Sequence, residues 1–202
     1  MTEKRRPWLE RYDENVPHDL EYPQVPLYHF VEEAARKHPD HVAMIFQDGK
    51  VTYRELDEAS DRVAAALADM GVEQGDRVAI LMANCPQFII SYFGILKAGG
   101  TVVACNPLYA PPELEHQLND CGAKLIIAMS RFYPVIKQIQ DQTQVEKVIA
   151  TNIKEYFPFF TKVLFTLLME KKSGDRVDLA AEDVWFQDLL SRYSPSDRPQ
   201  IG

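Results

Sequence analysis

Several groups of residues in this 202-residue chain have types and spacings that could do chemistry. His38 and His41 form an H-x-x-H pair, the seed of a metal site. Pro39 lies between them where a helix should end, so no single helical face holds both imidazoles. Gly94-Ile-Leu-Lys-Ala-Gly99-Gly100-Thr101 imitates the phosphate-loop spacing G-x-x-x-x-G-K-[ST], but Gly100 stands where the lysine should be. A phosphate loop follows a strand and opens a helix, so that helix-terminal N–H groups point at the anion. Here the order is reversed, with Gly94 inside an expected helix and Thr101 starting a strand. The run reads as a helix stop that lets helix and sheet pack closely. The carboxylates Glu32-Glu33 and Glu113 with Glu115 read as a solvated face and a first-turn dipole partner. Cys85, Cys105 and Cys121 are odd in number and widely spaced, which predicts reduced core thiols in a reducing compartment. There is no H-E-x-x-H, no G-x-S-x-G, and no G-x-G-x-x-G after a strand. These residue types assign no catalytic residue and no metal ligand.

The elements that would carry a site are easier to read. Residues 1–25 contain Pro7, Pro17 and Pro23 without periodicity, which predicts an extended arm anchored by Trp8, Leu9, Tyr12, Val16 and Tyr22. A helix from Leu27 to His38 follows, with Phe30, Ala34 and Ala35 as its apolar stripe. Asp48-Gly49 between VAMIF and KVTY signals a two-residue hairpin. Thr52 with Glu55 is a capping box for a long helix that Gly71 stops. Strand and helix then alternate: RVAIL, Pro86–Ala98, TVVAC, a helix from Pro111, KLIIAM, a helix around Val135–Ile139, and KVIA. This predicts an α/β fold, a parallel sheet with right-handed crossover helices. Four segments follow from the pattern: the arm at 1–25, the α/β unit at 26–151, an amphipathic helical insertion with a short helix from Val184 to Tyr193 at 152–193, and a linker at 194–202.

Acidic residues outnumber basic ones, 30 to 22, for a formal charge of −8, which argues against a nucleic-acid partner. The opening MTEKRRPWLERYDENVP lacks the apolar core of a secretory leader, which predicts a cytoplasmic protein. Phe157–Met169 is the most apolar stretch, interrupted by Lys162 and well short of the ~20 residues a spanning helix needs. With Phe160, Leu164 and Leu168 on one face and Lys154, Lys162, Lys171 and Lys172 around it, it is a candidate peripheral membrane contact.

Taken as a set, PLYHFVEEAARKHPDHVAMIF, the run from KVTYRELD through GDRVAI and KAGG to NPLY, and ELEHQLNDCGAKLIIA resemble the opening of the adenylate-forming superfamily. That group includes acyl-CoA synthetases, luciferases and peptide-synthetase adenylation domains. PWLERYDENVP, CNPLYAPPELEHQLND and KEYFPFFTKVLFTLLMEKK most resemble bacterial long-chain fatty-acid–CoA ligases. The resemblance implies the first part of the large N-terminal domain of such an enzyme. It also implies a two-step reaction. A carboxylate attacks the α-phosphate of Mg-ATP, giving acyl-adenylate and pyrophosphate, and CoA then displaces AMP. The partners implied are a fatty acid and CoA, with ATP and Mg2+ as cofactors. It further implies a homodimer through the arm. The family's Ser/Thr/Gly-rich loop is expected after Gly202, so this chain alone is expected to be inactive and to hold none of these groups. An aryl-CoA ligase, or a stand-alone interaction module, are the alternatives.

Open α/β sheets bind ligands beyond the carboxyl ends of their strands. Asn106, Pro107 and Tyr109, directly after TVVAC, are therefore the candidate substrate-binding residues. Asn-Pro also commonly starts a turn, so the same residues serve a purely structural reading.

Overall fold

The computed structural model describes residues 6–201; residues 1–5 of the expected arm and Gly202 of the expected linker lie outside them. Helix α1 (His29–Lys37) leads into an antiparallel hairpin of β1 (Val42–Phe46) and β2 (Gly49–Thr52). Helix α2 (Tyr53–Asp69) begins on the expected capping box: Thr52 N–H donates to Glu55 Oε2 over 2.7 Å, and Glu55 N–H donates to Thr52 Oγ1 over 3.3 Å. Then come β3 (Arg77–Leu81), α3 (Pro86–Lys97), β4 (Thr101–Ala104), α4 (Pro111–Cys121), β5 (Leu125–Met129), α5 (Tyr133–Ile139) and β6 (Lys147–Thr151). After them lie α6 (Phe159–Leu168), β7 (Val184–Trp185) and α7 (Phe186–Arg192).

The five later strands form one parallel sheet in the order β4-β3-β5-β6-β7, which is the α/β architecture the alternation predicts. Side chains alternate across each strand. Val78, Ile80, Ile127 and Ile149 therefore pack under α2, α3 and α7, with Phe186 fully buried among them. Ala79, Leu81, Ile126, Ala128 and Val148 pack on the other face against Leu114, Leu118, Ile136 and Ile139 of α4 and α5. Covering both faces explains why these strands are almost continuously apolar.

Three local readings are corrected. The hairpin turn is Gln47-Asp48, both at positive φ (49° and 66°), one residue earlier than the Asp-Gly signal. Gly49 instead meets a steric demand, since a Cβ there would lie 2.5 Å from the Tyr156 carbonyl oxygen. In α1, Val31 and Ala35 face the core and Phe30 faces solvent. Val184 and Trp185 do not start a helix; they pair with Ile149 and Ala150 as the sheet's edge, and the helix begins at Phe186. Pro158 is the residue that caps the start of α6.

Candidate functional site

The sheet's connections create a reversal of the kind beside which open α/β sheets bind ligands. The crossover through α3 carries the chain from β3 outward to β4. The crossover through α4, on the opposite face, carries it back past β3 to β5. The order therefore reverses at β3, and the carboxyl ends of the strands beside that reversal form the natural crevice. The segments leaving those ends are 82–85 after β3, 105–110 after β4 and the turn at Ser130–Phe132 after β5.

The structure places Asn106, Pro107 and Tyr109 on the β4 exit. Asn106 Oδ1 accepts from Leu108 N–H over 3.0 Å, and its carbonyl accepts from Tyr109 N–H over 3.1 Å, so the Asn106 side chain is committed to the turn. Pro107 is half-buried, and Tyr109, 38% exposed, flanks a shallow 510 Å³ depression with Pro112, Glu113, His116 and Gln117 of α4. Gln117 Nε2 donates to the Ala104 carbonyl over 3.3 Å, while its buried Oε1 has no partner. The three residues thus share one loop, but only Tyr109 borders open space that a ligand could enter.

A second depression, about 520 Å³, escaped the sequence reading because its walls are remote in the chain. Gly49, Lys50 and Glu55 line one side, and Glu155, Tyr156 and Phe157 the other. Burial pushes the Tyr156 hydroxyl well above the usual tyrosine range, and Cys85, Glu55 and Glu155 add to the effect. Beside it runs α6, which buries none of its residues. Phe160 is 85% exposed, Leu164 59% and Leu168 55%, so all three face solvent together.

The glycine run that imitates a phosphate loop has other work. A Cβ on Gly94 would lie 2.5 Å from Val63 Cγ1, so Gly94 sets the close approach of α3 to α2. Lys97, the lysine of that run, is fully buried and donates to Asp57 Oδ1 over 2.6 Å and to Asp61 Oδ1 over 2.8 Å. Gly99 takes φ +85° to end α3. The described residues therefore offer no phosphate cradle in this run. The His38 and His41 rings stack 4.8 Å apart, and no group of three or more His, Cys, Asp or Glu among the described residues is placed to hold a metal. The thiols are free; burial raises that of Cys85 and pushes that of Cys105 up to about 12.

This fold and these phrases define a class. Residues 31–185 match the family described as AMP-binding enzyme, and the chain belongs to that family. It is 36% identical over 170 residues to a long-chain-fatty-acid–CoA ligase of Bacillus subtilis, covering 84% of this chain and 30% of that protein. It is 40% identical over 151 residues to one from Salmonella typhimurium, covering 74% of this chain and 27% of the relative. Among solved structures, a long-chain-fatty-acid-CoA ligase of Archaeoglobus fulgidus shares the fold, with a TM-score of 0.70 at 21% identity over 91% of this chain and 33% of that one. The chain thus spans about 30% of the length of the curated relatives it matches.

Proposed function

We propose that this chain is the N-terminal portion of a long-chain fatty-acid–CoA ligase. The whole protein would join a fatty acid to CoA through an acyl-adenylate, using ATP and Mg2+. The observation that carries this reading is the likeness to long-chain ligases along more than four fifths of the chain. The glycine run at 94–101 does not fit a nucleotide phosphate, because Lys97 is held by two aspartates and a Cβ at Gly94 would meet Val63. No step of nucleotide chemistry is therefore assigned to it. The role of the described residues in this reading is to build a rigid sheet whose carboxyl edge, with Tyr109, walls the acyl or nucleotide site.

The same reading makes the protein cytoplasmic, with a peripheral membrane contact and a homodimer through the arm. The arm's Trp8, Tyr12, Val16, Leu20 and Tyr22 are exposed, which supports a partner surface rather than packing onto its own chain.

The test is to incubate the full-length protein with Mg-ATP, CoA and either palmitate or benzoate, measuring pyrophosphate and thioester. Palmitoyl-CoA should form and the aryl acid should be poor. Preference for benzoate, or no pyrophosphate with either acid, would overturn the reading. The 202-residue chain alone should release no pyrophosphate above a boiled control.

A further inference from the structure

We propose that α6 is an anchor lying in the surface of an anionic bilayer, and that it turns the carboxyl edge of the sheet toward that bilayer. This deepens the peripheral contact named above and rests on that reading for the membrane alone, not for the ligase chemistry.

The first observation is the shape of the apolar surface. At about 100° per residue, Phe159, Phe160, Val163, Leu164, Leu167 and Leu168 occupy one half of the helix circumference. All six are exposed. Phe165 points the other way, with its ring 5.4 Å edge-on from Phe157, which in turn stacks 5.8 Å from Phe46. The exposed half is a convex ridge. A protein partner must supply a groove for such a ridge, whereas a fluid acyl layer takes it as it stands, with the helix axis in the interface plane.

The second observation is charge. From Phe157 to Met169 there is no acidic residue; Glu170, which comes next, is buried and paired with Lys154, and the exposed Lys171 and Lys172 follow it. Both lysines are exposed, and among the described residues neither pairs with a carboxylate, although the whole chain carries a formal charge of −8. Local cations beside an apolar ridge match anionic headgroups. A second copy meeting this face through the same face, as a two-fold contact requires, would present the same cations and so fits the patch less well.

The third observation sets the orientation. Buried polar contacts hang the segment from the ends of two strands. Glu170 accepts from Asn152 Nδ2 over 2.9 Å and from Lys154 Nζ over 2.5 Å, and Asn152 directly follows β6. Asp175 takes two hydrogen bonds from Arg131, 3.0 and 2.7 Å, and its carbonyl accepts from Ser130 Oγ over 2.8 Å. Ser130 and Arg131 directly follow β5. The anchor is therefore fixed to the carboxyl edge of the sheet, the edge that carries Tyr109. A fatty acid dissolved in the leaflet would then meet that edge without crossing bulk water.

The experiment uses the full-length protein and vesicles of phosphatidylcholine alone or with about one third phosphatidylglycerol. Flotation should occur with the anionic vesicles and fall at least tenfold in Leu164→Glu/Leu168→Glu, with folding checked by circular dichroism. Lys171→Glu/Lys172→Glu should abolish the preference for anionic lipid. Should the glutamate variants misfold, Phe160→Trp serves instead, and its emission should shift to the blue on adding anionic vesicles. No flotation, flotation indifferent to these changes, or an unshifted tryptophan would overturn the proposal. A solution mass that falls in the glutamate variants would overturn it in favour of contact between copies. Pyrophosphate release without vesicles reads the ligase chemistry separately, so either idea can fail alone.

Discussion

Lys97 Nζ donates to Asp61 Oδ1 over 2.8 Å from a side chain that solvent does not reach. Asp61 is also met by Arg198 over 3.2 Å, so the tail at residues 194–201 is fastened across α2 through the same carboxylate. Arg198 further pairs with Glu32 and lies 4.8 Å from the Tyr28 ring centre. One charge network, with Lys97 as its buried member, thus joins α1, α2, α3 and the tail. Removing a buried member leaves uncompensated charge, which costs more than the intact pair contributes.

Lys97→Met should therefore lose about 3 kcal/mol, seen as a melting temperature lower by roughly 6–12 °C. Burial already holds the Asp61 carboxyl above its ordinary value, against the lowering pull of Lys97. Without Lys97 it rises further, so the folded variant binds a proton that the unfolded chain does not. That window opens at the ordinary carboxylate value and extends upward, and stability in it falls as pH rises. The gap between variant and parent should narrow as the pH is lowered from 7 toward 4. Melts across that range that keep a constant gap would refute the assignment.

Gly94→Ala should destabilise by about 1–3 kcal/mol, since the new methyl must push α3 away from Val63. Val63→Ala in the same chain should recover part of the loss, because the γ-methyl is gone while the Val63 Cβ, 2.6 Å from the added carbon, remains. Urea melts of the two single variants and the double variant measure the coupling; strictly additive losses would remove the contact from the explanation.

Cys85 and Cys105 should resist alkylation by iodoacetamide at pH 8 in the native protein. A thiol at about 12 keeps only about one part in ten thousand as thiolate there, and labelling should speed up as pH rises. Mass spectrometry of tryptic peptides reads each site. Rapid native labelling of Cys105 would contradict its burial.

Tyr109→Ala in the full-length protein should raise KM for the acyl substrate or lower kcat by about tenfold, with the melting temperature little changed because the ring is 38% exposed. Unchanged kinetics in a folded variant would place the ring outside the site. Asn106→Ala should instead act on stability, by about 1 kcal/mol, through loss of the bond from Leu108 N–H.

Deleting residues 1–25 should lower the solution mass of the full-length protein, as the proposed homodimer through the arm requires, because the arm's described apolar side chains are exposed on their own chain. Light scattering decides this, and an unchanged mass would leave the arm without an interface role.

Much of the sheet was legible because burial on both faces writes itself as short apolar runs, and because Thr52 and Gly71 punctuate a helix with known chemistry. Strand β7 was not, since two residues carry no period. What holds Val184–Trp185 in place is Asp183, whose carboxylate accepts from Val148 N–H, Tyr133 Oη and Lys137 Nζ at 2.7, 2.7 and 3.0 Å. Those partners lie on β6 and α5, so a stretch without periodicity acts as a staple. Likewise Gly49 looked like turn chemistry and meets a carbonyl more than a hundred residues away. The loop at Asn106–Tyr109 was located from its strand, but only the folded turn separates Asn106, whose side chain is bonded to Leu108 N–H, from Tyr109, which borders the depression. Side chains whose role depends on distant partners leave no local signal.

Strand β7 also has a temporal meaning. The chain between Thr151 and Val184 must be made before the sheet can close, and at 5–20 residues per second that takes roughly two to seven seconds. During that interval β6 has an open outer edge, and Ile149 lacks the cover that Phe186 will provide. The helix α6 is translated within the same interval. A nascent chain therefore carries an unpaired strand and its most apolar helix at once, and only the arrival of Val184–Phe186 closes the first of these.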